Sequence, residues 1–186
     1  MTTTVDIRGL LGAYKLTFRQ APFILLGILF LTNFGWAQPI PSQIRDYVLY
    51  GANSVYLGSA NTVNAGIIGS DIQVISTGSS AINSSIYSQG LINLSNSNDV
   101  SGRITAANAQ AMAGTILSIG SGVLGGNIDV NGNIIIKGGT VQGIVTHPEG
   151  TTYSGPTPLG GEVIGLPELP TAPQMPVITS FPAAGT

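Results

Sequence analysis

The side chains that could do chemistry in this sequence are few and widely spaced. Only 8% of the 186 residues are charged, one is histidine and none is cysteine. Asp71, Asp99 and Asp129 are the carboxylates in the most regular part of the chain. A polysaccharide-cleaving site needs paired carboxylates that flank the glycosidic bond, or clustered acids that bind calcium. The three aspartates fall at different positions of the internal repeat described below, so we expect turn and strand-end roles for them.

The single histidine and the central arginine also lack partners in the sequence. His147 lies in the turn THPEG with no second His or Cys to complete a metal site, so we expect a surface loop residue. Arg103 lies between Gly102 and Ile104 and is predicted to project outward as a solvated charge. The sequence therefore predicts no catalytic, cofactor-binding or metal-binding residue, no cofactor and no enzymatic activity. The aromatic side chains of the body that could stack on sugars are Tyr47, Tyr50, Tyr56 and Tyr87.

The first 37 residues have the organisation of a secretory signal peptide. Half of the six basic residues lie in the first 19 positions, namely Arg8, Lys15 and Arg19. The apolar block FILLGILFL, residues 23–31, and the small-x-small sequence Gly35-Trp36-Ala37 follow. We predict cleavage between Ala37 and Gln38 and a secreted or cell-surface protein. The alternative, a retained membrane anchor, would need about 20 apolar residues, roughly twice this block.

The charge of the predicted mature chain argues against nucleic acid as a partner. Residues 38–186 hold three basic and seven acidic side chains, a net charge of −4. Binding to phosphates requires clustered Lys and Arg, and this segment has no basic cluster. We therefore expect no nucleic-acid partner and no membrane association once the leader is removed.

A five-residue pattern, apolar-x-small-x-apolar, recurs five times in the central region. Its middle residue is Ala, Ser or Gly, and successive copies are spaced by 19, 18, 24 and 17 residues. An apolar-x-apolar pair precedes each copy by five to eight residues. The predicted core residues are the ends of the five patterns: Val63, Ile67, Ile82, Ile86, Val100, Ile104, Leu124, Ile128, Val141 and Val145.

This repeat predicts an all-β fold, a single-stranded parallel β-helix of about five coils over residues 54–150. Side chains two apart in a strand share a face, so the apolar ends would enter a core and the small middle residue would point inward between them. An antiparallel sandwich or barrel is the alternative, but it does not require the same residue class at the same offset in successive units. The 24-residue spacing is explained by a small-residue insertion at 106–114, either a corner bulge or a short helical turn.

The two flanks differ in composition from the repeat. Residues 38–53 include YVLY and are predicted to form an N-terminal cap or an extra strand over the first coil. Residues 151–186 are rich in Pro and Gly and are predicted to form an extended linker that leads to downstream domains of a longer chain.

The segments DYVLYGANSVYLGSANTVNAGIIGS, SGRITAANAQAMAGTILSIGS and GGNIDVNGNIIIKGGTVQGIVTHPEGTTYSGP carry a resemblance to known proteins. They resemble the N-terminal β-solenoid region of large secreted or cell-surface, adhesin-like proteins of Bacteroidota, in which such a region precedes arrays of adhesive repeats. A looser resemblance is to bactofilins, polymer-forming β-solenoids that are cytoplasmic, whereas this chain has a predicted signal peptide. The resemblance implies location and architecture, with downstream domains as partners.

Two functions remain open from the sequence. The first is a non-enzymatic, exported structural or adhesive β-solenoid that acts as a spacer or stalk of a bacterial surface protein, with surface glycans or other proteins as further partners. The alternative is a carbohydrate-binding or carbohydrate-cleaving β-helix with a groove beside the insertion at 106–114.

Overall fold

The computed structural model describes residues 3–7, 14–18 and 43–173. The chain forms two compact units, Met1–Pro39 and Ile40–Thr186. In the first unit, strands β1 (Thr3–Ile7) and β2 (Tyr14–Phe18) pair in antiparallel fashion. The apolar block at 23–31 and the cleavage site between Ala37 and Gln38 lie outside the described residues, so the signal peptide stays a prediction.

The described part of the second unit is built from strands, apart from one turn of 3₁₀ helix at Ile44–Asp46. Most strands are two to five residues long, since the chain turns a corner after each one. They are β3 (Tyr47–Gly51), β4 (Ser54–Leu57), β5 (Asn61–Val63), β6 (Ile67–Ser70), β7 (Gln73–Ser76), β8 (Ser80–Ile82), β9 (Ser85–Ser88), β10 (Leu91–Val100), β11 (Ile104–Ala106), β12 (Thr115–Ser121), β13 (Val123–Leu124), β14 (Ile128–Val130), β15 (Asn133–Ile136), β16 (Thr140–Val141), β17 (Val145–His147), β18 (Tyr153–Ser154) and β19 (Glu162–Ile164).

Each of the first five turns contributes one strand to each of three parallel sheets, and the last two turns contribute to fewer sheets. Sheet 1 contains seven strands in the order β3, β6, β9, β11, β14, β17 and β19. Sheet 2 contains β4, β7, the first half of β10, β12, β15 and β18, and sheet 3 contains β5, β8, the end of β10, β13 and β16. The predicted parallel β-helix is confirmed, with about seven turns where the sequence predicted about five.

The two additional turns lie outside the predicted repeat region of 54–150. At the front, β3 pairs with β6, so YVLY is a strand of the stack. At the rear, β18 pairs with β15 and β19 pairs with β17, so the first residues of the predicted linker continue the sheets. Proline is tolerated at a sheet edge, where no further strand needs its N–H. The composition of residues 151–164 therefore concealed the last turns.

The core consists of columns of aliphatic side chains that point into the stack. One column is Ile68, Ile86, Ile104, Ile128 and Val145 in sheet 1, and another is Val63, Ile82, Val100, Leu124 and Val141 in sheet 3. Of the ten predicted core residues, eight are at most 1% exposed, and Val63 is half-buried against the same cluster.

Ile67 is the one predicted core residue that does not take the inward position. It is half-buried, and Ile68, with no exposed surface, lies in the column instead. Gly66 has a φ of 80°, which only glycine adopts readily, and this first corner is one residue longer than the others. A one-residue shift exchanges the two faces of a strand, so the inward side chain changes from Ile67 to Ile68.

The repeated five-residue pattern is a corner of the coil and not a single strand. In each copy the first apolar residue ends a strand of sheet 3, and the second lies at or near the start of a strand of sheet 1. The small residue lies at the bend. A Cβ on Gly126 would lie 2.3 Å from the carbonyl oxygen of Gly102, and a Cβ on Gly143 would lie 2.3 Å from that of Gly126. Small residues are therefore required because successive corners stack backbone on backbone, not because the interior is narrow.

The insertion at 106–114 bulges from the corner between sheets 1 and 2 and contains no helix. It leans back on the preceding turns, since the Ala107 N–H donates to Ser88 O at 2.9 Å and Gln110 Nε2 donates to Asp71 O at 3.0 Å. The insertion therefore lies along the edge of sheet 1 that borders sheet 2 and contacts the two preceding turns.

Gly143→Ala should lower the free energy of unfolding by about 1–3 kcal/mol, because the new methyl group has no room above the Gly126 carbonyl. Gly138→Ala is the matched control, since a Cβ there meets only Ser121 Cβ at 3.8 Å. We expect the control to change stability by less than about 1 kcal/mol. Equal shifts of the two denaturation midpoints in urea would contradict the backbone-stacking explanation.

Candidate functional site

The outward face of sheet 1 differs from an ordinary solvated sheet surface. Tyr87, Thr105 and Asp129 are lateral neighbours on β9, β11 and β14, and they point away from the core because Ile86, Ile104 and Ile128 point into it. All three are buried nonetheless, at 3%, 0% and 4% exposure. A further segment must therefore cover them.

Residues 165–173, called the strap here, return along this face after the last strand. Glu168 Oε2 lies 2.6 Å from Arg103 Nη2, and Gln89 Nε2 donates a hydrogen bond of 2.9 Å to the Pro170 carbonyl. Pro170 and Pro173 are buried, although both belong to the predicted extended linker. Gln89 is on an earlier turn than Arg103, so the strap runs from the last turn back toward the first. Residues 174–186 of the predicted linker lie outside the described residues.

Arg103 joins the strap to the sheet and is not the solvated charge that the sequence predicted. Its side chain is only 15% exposed, and Nε lies 3.0 Å from Asp129 Oδ2. That oxygen accepts no hydrogen bond, so the contact is a charge pair whose geometry is too oblique for one. The guanidinium therefore lies between two carboxylates, one buried in the sheet and one on the strap. The prediction failed because Glu168 is 65 residues away in sequence and Asp129 is a full turn away.

The Asp129 carboxyl is held in a partly apolar environment. Burial raises the pKa of this carboxyl above its ordinary value, although Arg103, the Glu168 backbone N–H and the Thr146 hydroxyl lower it. Burial disfavours the charged form, and here it outweighs the ion pair.

Three polar side-chain atoms in this cluster are buried without a hydrogen-bond partner in the described part of the chain. They are Arg103 Nη1, Thr105 Oγ1 and Asp129 Oδ2. Buried polar groups are usually hydrogen-bonded, and leaving one unpaired costs about 1–3 kcal/mol. The cluster thus offers one unused donor, one unused acceptor and one hydroxyl that can do either.

A group of tyrosines continues this face toward the first turn. The rings of Tyr47 and Tyr50 meet edge to face at 5.0 Å, and those of Tyr47 and Tyr87 do so at 6.5 Å. Gly69 leaves the space that the Tyr47 ring occupies. The Tyr50 hydroxyl donates to Asp71 Oδ1. Burial, together with the nearby Tyr87 hydroxyl, raises the pKa of Tyr47 to about 12, so these phenols are neutral at physiological pH.

His147 is buried, at 2% exposure, and is not the surface loop residue that the sequence predicted. It is the last residue of β17 and follows the inward-outward alternation of that strand. Nδ1 lies 2.9 Å from Thr151 Oγ1, and Nε2 lies 2.9 Å from Glu162 Oε1 on the neighbouring strand. The Thr151 hydroxyl donates to the Pro148 carbonyl at 2.7 Å, which closes the turn. These contacts fasten the last turns together.

The remaining predicted residues lie apart from one another. Asp99 Oδ1 accepts a hydrogen bond of 2.8 Å from the Val123 N–H on sheet 3, and Tyr56 is 66% exposed on sheet 2. Asp71, Asp99 and Asp129 thus have different neighbours. Across residues 43–173 and the two N-terminal strands, no three His, Cys, Asp or Glu side chains gather closely enough to hold a metal ion. The same residues include no helix with the length and hydropathy needed to cross a bilayer.

Comparison with known proteins gives no relative for this chain: no family model, no curated protein and no solved structure matches it.

Asp129→Asn should make the protein more stable than the wild type as pH rises out of the acid range. The ordinary carboxyl pKa is 3.8, and the pKa of Asp129 in the folded protein is higher. The protonated Asp129 side chain therefore contributes its full stabilisation at pH values below 3.8. This stabilisation is lost as pH rises through the pKa of Asp129 in the folded protein. Asparagine has no proton to release in this range, so the variant does not lose stability in this way. Urea denaturation between pH 3 and pH 7 measures the difference. The exposed Glu149→Gln is the control, and an Asp129→Asn profile parallel to the wild type would contradict the assigned burial.

Proposed function

We propose that this chain is a non-enzymatic, exported structural β-solenoid that acts as a spacer or stalk of a bacterial surface protein. The observation that supports it best is the continuous stacking of sheet 1, in which seven strands pair in parallel from Tyr47 to Ile164. Strands about 4.8 Å apart give a stack about 29 Å long from the first strand to the last. Such a stack keeps its two ends at a fixed distance.

The energetic basis of the spacer is the repetition of one contact. Each turn buries its aliphatic column on the next, so stability accumulates turn by turn and bending would open several ladders together. Polar Ser, Thr and Asn cover much of the outside, and charged residues make up only 8% of the chain. Surface glycans or other proteins, and downstream domains, are the partners that we propose for it. The resemblance to the N-terminal regions of adhesin-like proteins agrees with this role.

Intact-mass and N-terminal analysis of the surface and culture fractions of the native organism tests the proposal. We expect a species that begins at Gln38, because the leader ends in a small-x-small site. A mass far above that of residues 38–186 would show that the solenoid precedes further domains. A protein found only inside the cell with Met1 retained would overturn export and, with it, the surface-stalk role.

Carbohydrate binding is the second candidate, and one juxtaposition favours it. Asp71 accepts from the Tyr50 hydroxyl through its side chain and from Gln110 through its backbone, so the insertion lies beside the tyrosine group. The groove that the sequence predicted next to the insertion would thus have Tyr47 and Tyr50 on one side. Both rings are half-buried, and partly accessible aromatic rings beside hydrogen-bonding groups suit a sugar ring.

A glycan array probed with the wild type, Tyr47→Ala and Tyr56→Ala tests this candidate. Tyr56 is the matched control, because it is an exposed tyrosine on the outer face of sheet 2 and not on that of sheet 1. We expect any glycan signal to fall at least about tenfold for Tyr47→Ala and to persist for Tyr56→Ala. Absence of signal for the wild type removes carbohydrate binding and leaves the spacer role intact.

A further inference from the structure

The outward side chains of the three sheets differ in their exposure to solvent. Tyr56 on sheet 2 and Val123 on sheet 3 point outward and are 66% and 45% exposed. Their counterparts on sheet 1, Tyr87 and Thr105, are 3% and 0% exposed. The Tyr47 ring packs against Tyr87, and the strap crosses the same face at Arg103 and Gln89. The face of sheet 1 therefore already has a peptide segment docked on it. The contacts of that segment show which chemical groups the face can bind.

We propose that the outer face of sheet 1 between Gln89 and Asp129 is a binding site for an extended, proline-containing peptide segment that carries a carboxylate, and that the strap occupies it within the same chain. The strap sequence, residues 165–173, is GLPELPTAP. This inference goes beyond the spacer function and does not depend on export.

Each group on the face matches one feature of such a peptide. Arg103 binds the Glu168 carboxylate at 2.6 Å, and the Gln89 amide donates to the Pro170 carbonyl at 2.9 Å. The Tyr87 phenol lies near the strap, since the Glu168 carboxylate is one of the groups that raise its pKa after burial itself. Proline-rich segments dock on aromatic grooves because they are extended before binding and lose little conformational entropy. A carboxylate, a free carbonyl and proline rings are thus what this face recognises.

The contacts of the strap are those of a ligand more than those of a structural strand. Residues 166–173 add no strand to any sheet. The Glu168 side chain is 55% exposed, and Leu166, at the point where the strap leaves β19, is 94% exposed. Beneath the strap, Arg103 Nη1 and Thr105 Oγ1 have no hydrogen bond, and Asp129 Oδ2 has only its charge pair with Arg103 Nε, so the present occupant leaves part of the hydrogen-bonding capacity of the face unused.

Tethering explains why a free peptide would not compete well with the strap. A segment joined to its site by a short linker is present there at an effective concentration in the millimolar range. A free peptide must exceed that concentration or bind much more tightly. The site should therefore become measurable when the strap is weakened in the full chain.

Cysteine labelling of the full chain tests the proposal, since the sequence contains no cysteine. Thr105→Cys places a thiol under the strap at a position with no exposed surface, and the Thr105 hydroxyl has no hydrogen bond to lose. Val130→Cys is the matched control, because Val130 is equally buried but lies inside the core and reports opening of the stack itself. The strap is weakened by Glu168→Ala with Pro170→Gly, and Glu149→Ala is the charge-matched control in an exposed turn.

We expect maleimide labelling of Thr105→Cys to be about tenfold faster with the weakened strap, and that of Val130→Cys to be unchanged. The free peptide GLPELPTAP should restore protection, whereas the same peptide with Gln in place of Glu should not. Three outcomes would overturn the proposal: labelling that stays slow with the weakened strap, acceleration at both thiols, and protection by an oligogalacturonide but not by the peptide. The last would identify the site as one for acidic sugars.

Discussion

The backbone of each turn lies directly on the backbone of the turn before it at the corner between sheets 1 and 3, and the rest of the structure depends on this contact. Gly102, Gly126 and Gly143 lie one above another, with no room for a Cβ below the neighbouring carbonyl. Because the corners touch, the strands on either side are held at ladder distance and the aliphatic columns meet. A larger residue at one corner would separate two turns and disturb all three sheets.

This constraint explains why the sequence predicted the fold but not its details. A small residue recurs at this corner in five successive turns because the turns approach closely there, and its spacing identified the coil. The same signal could not tell a corner from a strand, since an apolar residue on each side of a small one fits both. At the first corner the extra Gly66 moved the inward position from Ile67 to Ile68. The last turns were hidden because Pro and Gly are as compatible with edge strands as with a linker.

The groups on the outer face could not be predicted for a different reason. The repeat determines which side chains point outward, and it correctly separated Asp71, Asp99 and Asp129. It contains no information on what covers them, because the strap makes contacts across 65 or more residues of sequence. Arg103 is shielded by one of those contacts, with Glu168, and by its neighbour Asp129 in the next turn. His147 was misjudged because THPEG has the composition of a turn, although its first two residues end a strand.

We expect the two ion pairs of Arg103 to contribute more to the register of the strap than to stability. A buried charge pair often stabilises a protein no more than apolar side chains of the same size would, because desolvation offsets the attraction. In a chain with so few charges, however, Arg103 has a carboxylate on each side, and Glu168 is the one that the strap supplies. If the strap slid by one residue, Glu168 would leave Arg103 and the Pro170 carbonyl would leave Gln89. The charges therefore fix the register of a segment that has no ladder of its own.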